Sequence, residues 1–140
     1  MRVHHRIDGA GTPLLLVNSL GTALELWEPQ VVTLGGRHRL VRYDQRGHGG
    51  TAAPNGPYTI EALAGDALEL LDRLGLERVS VCGLSIGGAV ATWIAANAGD
   101  RVDRLVIASA GPRFATPETW VDRAATVRAE GTEAVVDGVL

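Results

Sequence analysis

The residues best suited to chemistry surround Ser85, within the sequence Gly-Leu-Ser-Ile-Gly at positions 83–87. The pattern G-x-S-x-G is typical of a nucleophile elbow, a serine on a sharp turn between a strand and a helix. Such a turn strains the serine backbone and requires very small residues two positions away on either side, which Gly83 and Gly87 provide. Ser85 is therefore predicted to be a catalytic nucleophile. The alternative interpretation is a glycine-rich turn in a nucleotide-type α/β fold.

A serine nucleophile also needs hydrogen-bond donors for the oxyanion that develops during attack. The helix after Ser85 directs its first N–H groups at the site, so the N–H of Ile86 is one predicted donor. In an elbow architecture the loop after the first buried parallel strand supplies the second donor, and here we expect the N–H of Leu20. The alternative for this loop, residues 18–22, is a plain turn between a strand and a helix.

The elements that position these residues are short apolar strands alternating with helices. Strands are predicted at residues 3–7, 14–17, 40–44, 79–82 and 105–108. Helices are predicted at residues 24–34, 60–74, 86–98, 119–129 and 133–140. The helix at 60–74 has the clearest signals, because Thr59 can cap its start and Gly75 can end it. The alternation predicts an α/β fold with a mostly parallel sheet and helices on both faces.

A second polar motif, Arg-Tyr-Asp-Gln-Arg-Gly-His-Gly, occupies residues 42–49. One interpretation makes His48 a catalytic base. We favour a structural loop, because a buried loop of this kind needs arginine and histidine side chains to satisfy its backbone carbonyls.

Composition restricts the class of protein. The 140 residues are 46% hydrophobic and 21% charged, which predicts one folded domain at most and excludes wholesale disorder. The net charge of −3 argues against a nucleic acid or an anionic membrane surface as partner. The single cysteine, Cys82, excludes an internal disulfide framework and fits a reducing cytoplasm; we expect it to be a small core residue. No apolar run reaches the roughly 18 residues that span a membrane, and the N-terminus lacks a signal-peptide segment.

Several of these segments together resemble the α/β-hydrolases and, within them, the 3-oxoadipate enol-lactonases of the β-ketoadipate pathway. The resemblance rests on residues 42–49, 57–61 (PYTIE), 82–88 (CGLSIGG), 105–110 and 120–131. One departure is Gly50-Thr51, where relatives often carry a variable residue and then serine. The resemblance implies an α/β-hydrolase fold that lacks its C-terminal strands. Residues 1–111 would form the N-terminal part of the core, and residues 112–140 the beginning of a helical cap.

The same resemblance implies a carboxylic-ester hydrolase, specifically an enol-lactonase. Ser85 would attack the lactone carbonyl to form an acyl-enzyme, and the N–H groups of Leu20 and Ile86 would hold the oxyanion. The partner would be a small-molecule lactone or ester, with 3-oxoadipate as product and no metal or organic cofactor. Because this substrate carries a carboxylate, we expect a cation in its pocket, with candidates Arg113, Arg123 and Arg128. Trp120 and Arg123 are the expected substrate-binding residues, although charged residues on helices are usually just solvated.

The histidine that the family's triad requires is missing after Ser85. The triad runs in the order nucleophile, acid, histidine, whereas every histidine here precedes the serine: His4, His5, His38 and His48. Acidic residues do follow Ser85, but none follows a strand as a triad acid must. Without an imidazole nearby, a serine is a poor nucleophile at neutral pH.

We therefore expect these residues to be the N-terminal half of a hydrolase of roughly 250 residues or more, with only trace activity alone. The strand at 105–108 would then be an apolar edge that is prone to pairing with other chains. Two alternatives remain open. The first is another enzyme on the same fold: an esterase, a cofactor-free perhydrolase related to haloperoxidases, or an acyltransferase. The second is a non-catalytic binding module that has lost the triad.

Overall fold

Strands and helices alternate along residues 1–113 and 116–135, which are the residues that the computed structural model describes. The five strands of this part of the chain are β1 (His5–Asp8), β2 (Thr12–Val17), β3 (His38–Tyr43), β4 (Val79–Leu84) and β5 (Val102–Ala108). Its α-helices are α1 (Glu28–Leu34), α2 (Ile60–Arg73), α3 (Ile86–Asn97) and α4 (Pro117–Glu130). Short 3-10 turns occupy Leu24–Trp27, Gly99–Arg101 and Thr132–Val135. The α/β class that the sequence predicts is confirmed.

The strands form one sheet in the order β1-β3-β2-β4-β5. β2 pairs in parallel with β3 on one side and with β4 on the other, and β4 pairs in parallel with β5. Only β1 runs antiparallel within this sheet of described strands, against β3. The chain thus moves from β2 to β3 in one direction and later returns to place β4 on the other side of β2. Ligands of open α/β sheets bind beyond the carboxyl ends of the strands at such a reversal.

Helices cover both faces of the sheet, as predicted. Leu15 and Val17 of β2 lie in a core cluster that α2 and α3 complete on one face. Leu16, on the opposite face of the same strand, packs with Trp27 and Leu40 and with partly buried residues of α1. This division follows from the alternation of side chains along a strand.

Local signals explain where most elements begin and end. Thr59 caps α2 by accepting a hydrogen bond of 3.0 Å from the Ala62 N–H, and Gly75 follows the helix with φ +65°. The single helix predicted at 24–34 is wrong: Leu24–Trp27 forms a 3-10 turn and α1 starts at Glu28. Pro29 lies in the first turn of α1, where its missing N–H costs nothing.

The C-terminal part differs from the prediction in one respect. The helix predicted at 119–129 is confirmed as α4. The described part of the helix predicted at 133–140 belongs to the 3-10 turn Thr132–Val135, and residues 136–140 lie outside the described residues. Among the helices described, none is both long enough and apolar enough to cross a lipid bilayer.

Strand β5 lies at the edge of the sheet and exposes apolar side chains. The exposed fractions are 37% for Leu105, 54% for Val106 and 46% for Ile107. Within the described residues no strand pairs with the outer side of β5. The apolar edge expected from the sequence is therefore present.

Asp44, just after β3, ties three distant segments together. One carboxylate oxygen accepts from the Leu24 N–H at 2.7 Å, and the other accepts from His4 Nδ1 at 2.7 Å and from the Gly50 N–H at 2.8 Å. Burial by itself would raise the pKa of Asp44, but the hydrogen bonds from His4, Gly50 and Leu24 together hold it below its ordinary value. The charged carboxylate is thus the form that this part of the fold requires.

We expect Asp44→Asn to lower the free energy of unfolding by about 2–3 kcal/mol at neutral pH, because the amide NH2 would face N–H donors. Since the folded-state pKa of Asp44 is depressed, its contribution is complete above the ordinary value of about 4 and is lost as the pH falls through the folded pKa. Urea unfolding at a series of pH values should show that the difference in the free energy of unfolding between wild type and variant becomes smaller at acid pH. Asp122→Asn, at an exposed residue, is the control. A difference between wild type and Asp44→Asn that does not change with pH would contradict the stabilising role of the charged Asp44 carboxylate.

Candidate functional site

Ser85 occupies a strained bend between β4 and α3. Its backbone angles are φ +55° and ψ −119°, a region that residues other than glycine rarely adopt. The Ser85 N–H donates to the Ala108 carbonyl at 2.9 Å, and its carbonyl accepts from the Gly88 N–H at 2.8 Å. The residue is half-buried and so does not lie in a packed interior, and its backbone angles are not those of a relaxed helix. This is the geometry that the sequence predicts for a nucleophile elbow.

Glycines surround the bend because there is no room for a Cβ atom. A Cβ at Gly83 would lie 2.1 Å from the Gly87 carbonyl oxygen, and one at Gly87 would lie 2.2 Å from the Val17 carbonyl oxygen. At Gly88 it would lie 2.7 Å from the Ala110 Cβ. The start of α3 therefore touches the end of β2 through backbone atoms.

The predicted oxyanion donors lie on the two segments that follow neighbouring strands. Leu20 is in the loop after β2, and Ile86 is the first residue of α3, directly after Ser85. Because β2 and β4 are adjacent and parallel, both segments leave the sheet at the same edge. As the first residue of a helix, Ile86 has no earlier carbonyl of that helix to receive its N–H. The role of these two N–H groups as oxyanion donors stays a prediction.

Both ring nitrogens of His48 are hydrogen-bonded to backbone groups. Its Nε2 accepts a hydrogen bond of 3.0 Å from the Gly21 N–H, so the ring proton is on Nδ1, which donates to the Arg46 carbonyl at 3.1 Å. The lone pair that a general base would use is occupied, which supports the structural interpretation.

The side chain of Arg46 departs from the expectation for the motif. It does not satisfy carbonyls of its own loop; it pairs with the buried Asp66 at 2.6 and 2.8 Å and donates to the Ala62 carbonyl of α2. The motif by itself did not indicate this partner, because Asp66 is buried on a helix that begins well after the loop.

The triad partners of Ser85 are not found in residues 1–113 and 116–135. Over that range the Ser85 hydroxyl has no hydrogen-bond partner, and the other histidines bond elsewhere: His4 to Asp44, His5 to the Val3 carbonyl and His38 to the Thr12 hydroxyl. Asp103, the acidic residue of β5, lies near the amino end of that strand, whereas Ser85 follows the carboxyl end of β4.

Cys82 is not an activated thiol. It is half-buried in β4, and burial raises the pKa of its thiol. A raised pKa reduces the thiolate fraction at neutral pH, which is the nucleophilic form. In the described part of the chain, no three His, Cys, Asp or Glu side chains converge as a metal site.

The expected substrate-binding residues lie together on α4. The guanidinium carbon of Arg123 is 5.6 Å from the centroid of the Trp120 indole ring, a cation–π contact. Arg113 and Arg128 are exposed. Binding of substrate by Trp120 and Arg123 stays a prediction.

We expect Gly83→Ala to lower the free energy of unfolding by about 3 kcal/mol or more, because the added methyl would meet backbone that cannot move independently. Gly65→Ala is the matched control, since Gly65 lies within α2 and a methyl group added there would meet open space, with no neighbouring atom within 4 Å. The control should raise stability by about 0.5–1 kcal/mol. Chemical denaturation measures both changes, and equal effects would contradict the packing described for the elbow.

Comparison with known sequences agrees with this geometry. Residues 12–136 match the family model described as alpha/beta hydrolase fold. The chain is 35% identical over 118 residues to 3-oxoadipate enol-lactonase 2 of Acinetobacter baylyi, covering 84% of this chain and 44% of that protein. It is 36% identical over 111 residues to the putative carbamate hydrolase RutD of Azorhizobium caulinodans, covering 79% of this chain and 42% of that protein. The chain thus spans less than half the length of these curated relatives.

Comparison with solved structures also finds similarity to a hydrolase. The enol-lactonase from Burkholderia xenovorans LB400 superposes with a TM-score of 0.95 at 46% sequence identity, covering 98% of this chain and 54% of that chain. The family match, the superposition and the strained serine bend agree with one another. The chain belongs to the family of α/β-hydrolase-fold proteins.

Proposed function

We propose that this chain is the nucleophile-bearing N-terminal portion of a serine hydrolase that opens the lactone ring of 3-oxoadipate enol-lactone. The observation that carries the proposal is the strained bend at Ser85, beside the loop that follows β2. The similarity to two enol-lactonases, from Acinetobacter baylyi and Burkholderia xenovorans, supports the choice of substrate.

The proposed reaction uses the predicted backbone donors. The Ser85 oxygen adds to the lactone carbonyl carbon, and the N–H groups of Leu20 and Ile86 donate to the oxyanion. The ring C–O bond then breaks, the enol oxygen leaves and takes up the proton that the base removed from Ser85, and the acyl group stays on Ser85. The enol tautomerises to the ketone. Water hydrolyses this acyl-enzyme and releases 3-oxoadipate. The base for both steps is a histidine supplied by polypeptide beyond the described residues.

A second candidate is a hydrolase of the same fold that acts on a carbamate. It is favoured by the similarity to the putative carbamate hydrolase RutD, whose identity to this chain is equally high. Both reactions use the same attack by serine on a carbonyl group, so the elbow does not separate them. The substrate profile of a complete enzyme does.

A chimera tests the function directly. Residues 1–135 of this chain are followed by the part of the Burkholderia xenovorans enol-lactonase that lies beyond the match. We expect the chimera to hydrolyse 3-oxoadipate enol-lactone and Ser85→Ala to lower kcat by about a thousandfold or more, because the nucleophile is lost. Turnover of a carbamate in preference to the lactone would favour the second candidate. Lactone turnover that survives Ser85→Ala would refute the role of the serine.

The 140-residue chain alone should hydrolyse nitrophenyl acetate only at a trace level, because no imidazole bonds to Ser85 in the part of the chain that is described. Ser85→Ala serves as the blank in this assay. Robust turnover that depends on Ser85 would show that the base lies within these residues.

Arg123 is expected to bind the substrate carboxylate. In the chimera, Arg123→Ala should raise KM for the lactone by about tenfold, the loss of one charge-assisted hydrogen bond. KM for the uncharged nitrophenyl acetate should stay unchanged. Arg37→Ala, at an exposed residue directly before β3, is the matched control and should leave both KM values unchanged. An unchanged KM for the lactone in Arg123→Ala would remove this residue from the site.

A further inference from the structure

Three consecutive peptide groups in the loop after β2 are each held by one side chain. Gln45 Nε2 donates to the Asn18 carbonyl at 2.8 Å, and the Thr22 hydroxyl donates to the Ser19 carbonyl at 2.8 Å. The third contact is the Gly21 N–H, which donates to His48 Nε2 at 3.0 Å. These contacts fix the peptide groups that join residues 18 and 19, 19 and 20, and 20 and 21.

The middle contact determines the direction of the Leu20 N–H. A peptide group is planar and trans, so its carbonyl and its N–H point in opposite directions. Because the Ser19 carbonyl is directed at the Thr22 hydroxyl, the Leu20 N–H points away from Thr22. A rotation of this one peptide group would break the Thr22 hydrogen bond. It would also place a carbonyl oxygen where the N–H had been, which repels developing negative charge.

Hydrogen bonds, and not side-chain packing, control this part of the loop. Leu20 is 39% exposed, and apart from the residues adjacent in the chain nothing lies within 4 Å of the position that a Cβ would take at Gly21, whose φ is +75°. By contrast, Asn18 at the start of the loop is fully buried and accepts a hydrogen bond of 2.8 Å from Trp27 Nε1. The loop thus begins at a buried, hydrogen-bonded residue, and beyond it Thr22 and His48 make hydrogen bonds to its backbone.

We propose that Thr22 is a positioning residue that directs the Leu20 N–H as an oxyanion donor, while Gln45 and His48 hold the flanking peptide groups. The proposal rests on the function proposed above, because it assigns a purpose to the Leu20 N–H. It also gives His48 a role in the site that requires no proton transfer. The neutral ring with its proton on Nδ1 is the form that accepts from Gly21.

Nuclear magnetic resonance of the ¹⁵N-labelled 140-residue chain tests the orientation without any need for turnover. In the wild type, the residual dipolar coupling of the Leu20 N–H should fit the direction in the structure. Thr22→Val removes the hydroxyl at nearly constant volume and should move that coupling away from the fitted value or split the Leu20 signal in two. Thr22→Ser keeps a hydroxyl and should restore the wild-type coupling.

Thr33→Val is the matched control, because the Thr33 hydroxyl also donates to a backbone carbonyl, that of Pro29, at 2.9 Å. It should leave the Leu20 signal unchanged. A scalar coupling across the hydrogen bond between the Gly21 nitrogen and His48 Nε2 should be present in the wild type and lost in His48→Gln. An unchanged Leu20 coupling in Thr22→Val, or no coupling between Gly21 and His48, would overturn the proposal.

A serine-directed phosphonate links the orientation to oxyanion binding. This step uses the chimera described above, in which the added part supplies the histidine that activates Ser85. After modification of Ser85 by an excess of reagent, the Leu20 amide proton should move downfield in the chimera and in its Thr22→Ser variant, and should lose that shift in Thr22→Val. A modified chimera without the shift would overturn the proposal. If Ser85 of the chimera is not modified, the function proposed above fails, and the spectra of the unmodified 140-residue chain still decide whether Thr22 sets the orientation.

Discussion

The close backbone contact between the end of β2 and the start of α3 is the constraint on which the site depends. A Cβ at Gly87 would lie 2.2 Å from the Val17 carbonyl oxygen, so only glycine allows α3 to begin so close to its neighbouring strand. The strained angles of Ser85 follow from this approach, since the chain must turn within one residue. The parallel pairing of β2 with β4 then places the serine beside the loop that follows β2.

Asp44 connects the two loops that lie next to this contact, the loop after β2 and the loop after β3. Its carboxylate accepts from the N–H groups of Leu24, just beyond the loop after β2, and Gly50, within the loop after β3. The loop after β3 carries Gln45 and His48, which contact the backbone of the other loop. One buried charge therefore holds together the two loops whose mutual hydrogen bonds orient the peptide groups near Ser85.

Signals carried by adjacent residues made much of this structure predictable. The G-x-S-x-G pattern located the elbow, and Thr59 and Gly75 located the ends of α2, because each acts on backbone a few residues away. The contact of His48 with Gly21 was not predictable in this way, since 27 positions separate the two residues and only the sheet order brings them together. For the same reason the sequence did not reveal Asp66 as the partner of Arg46.

The exposed edge strand β5 is hydrogen-bonded to the serine of the elbow. Ala108, the last residue of β5, accepts from the Ser85 N–H, so the strand with exposed Val106 and Ile107 also supports the strained serine. Parallel strands end at one edge of a sheet, and a further parallel strand paired with β5 would place its following residues at the edge that holds Ser85. The strand that buries the apolar edge would then also lead into residues that can place a base next to Ser85.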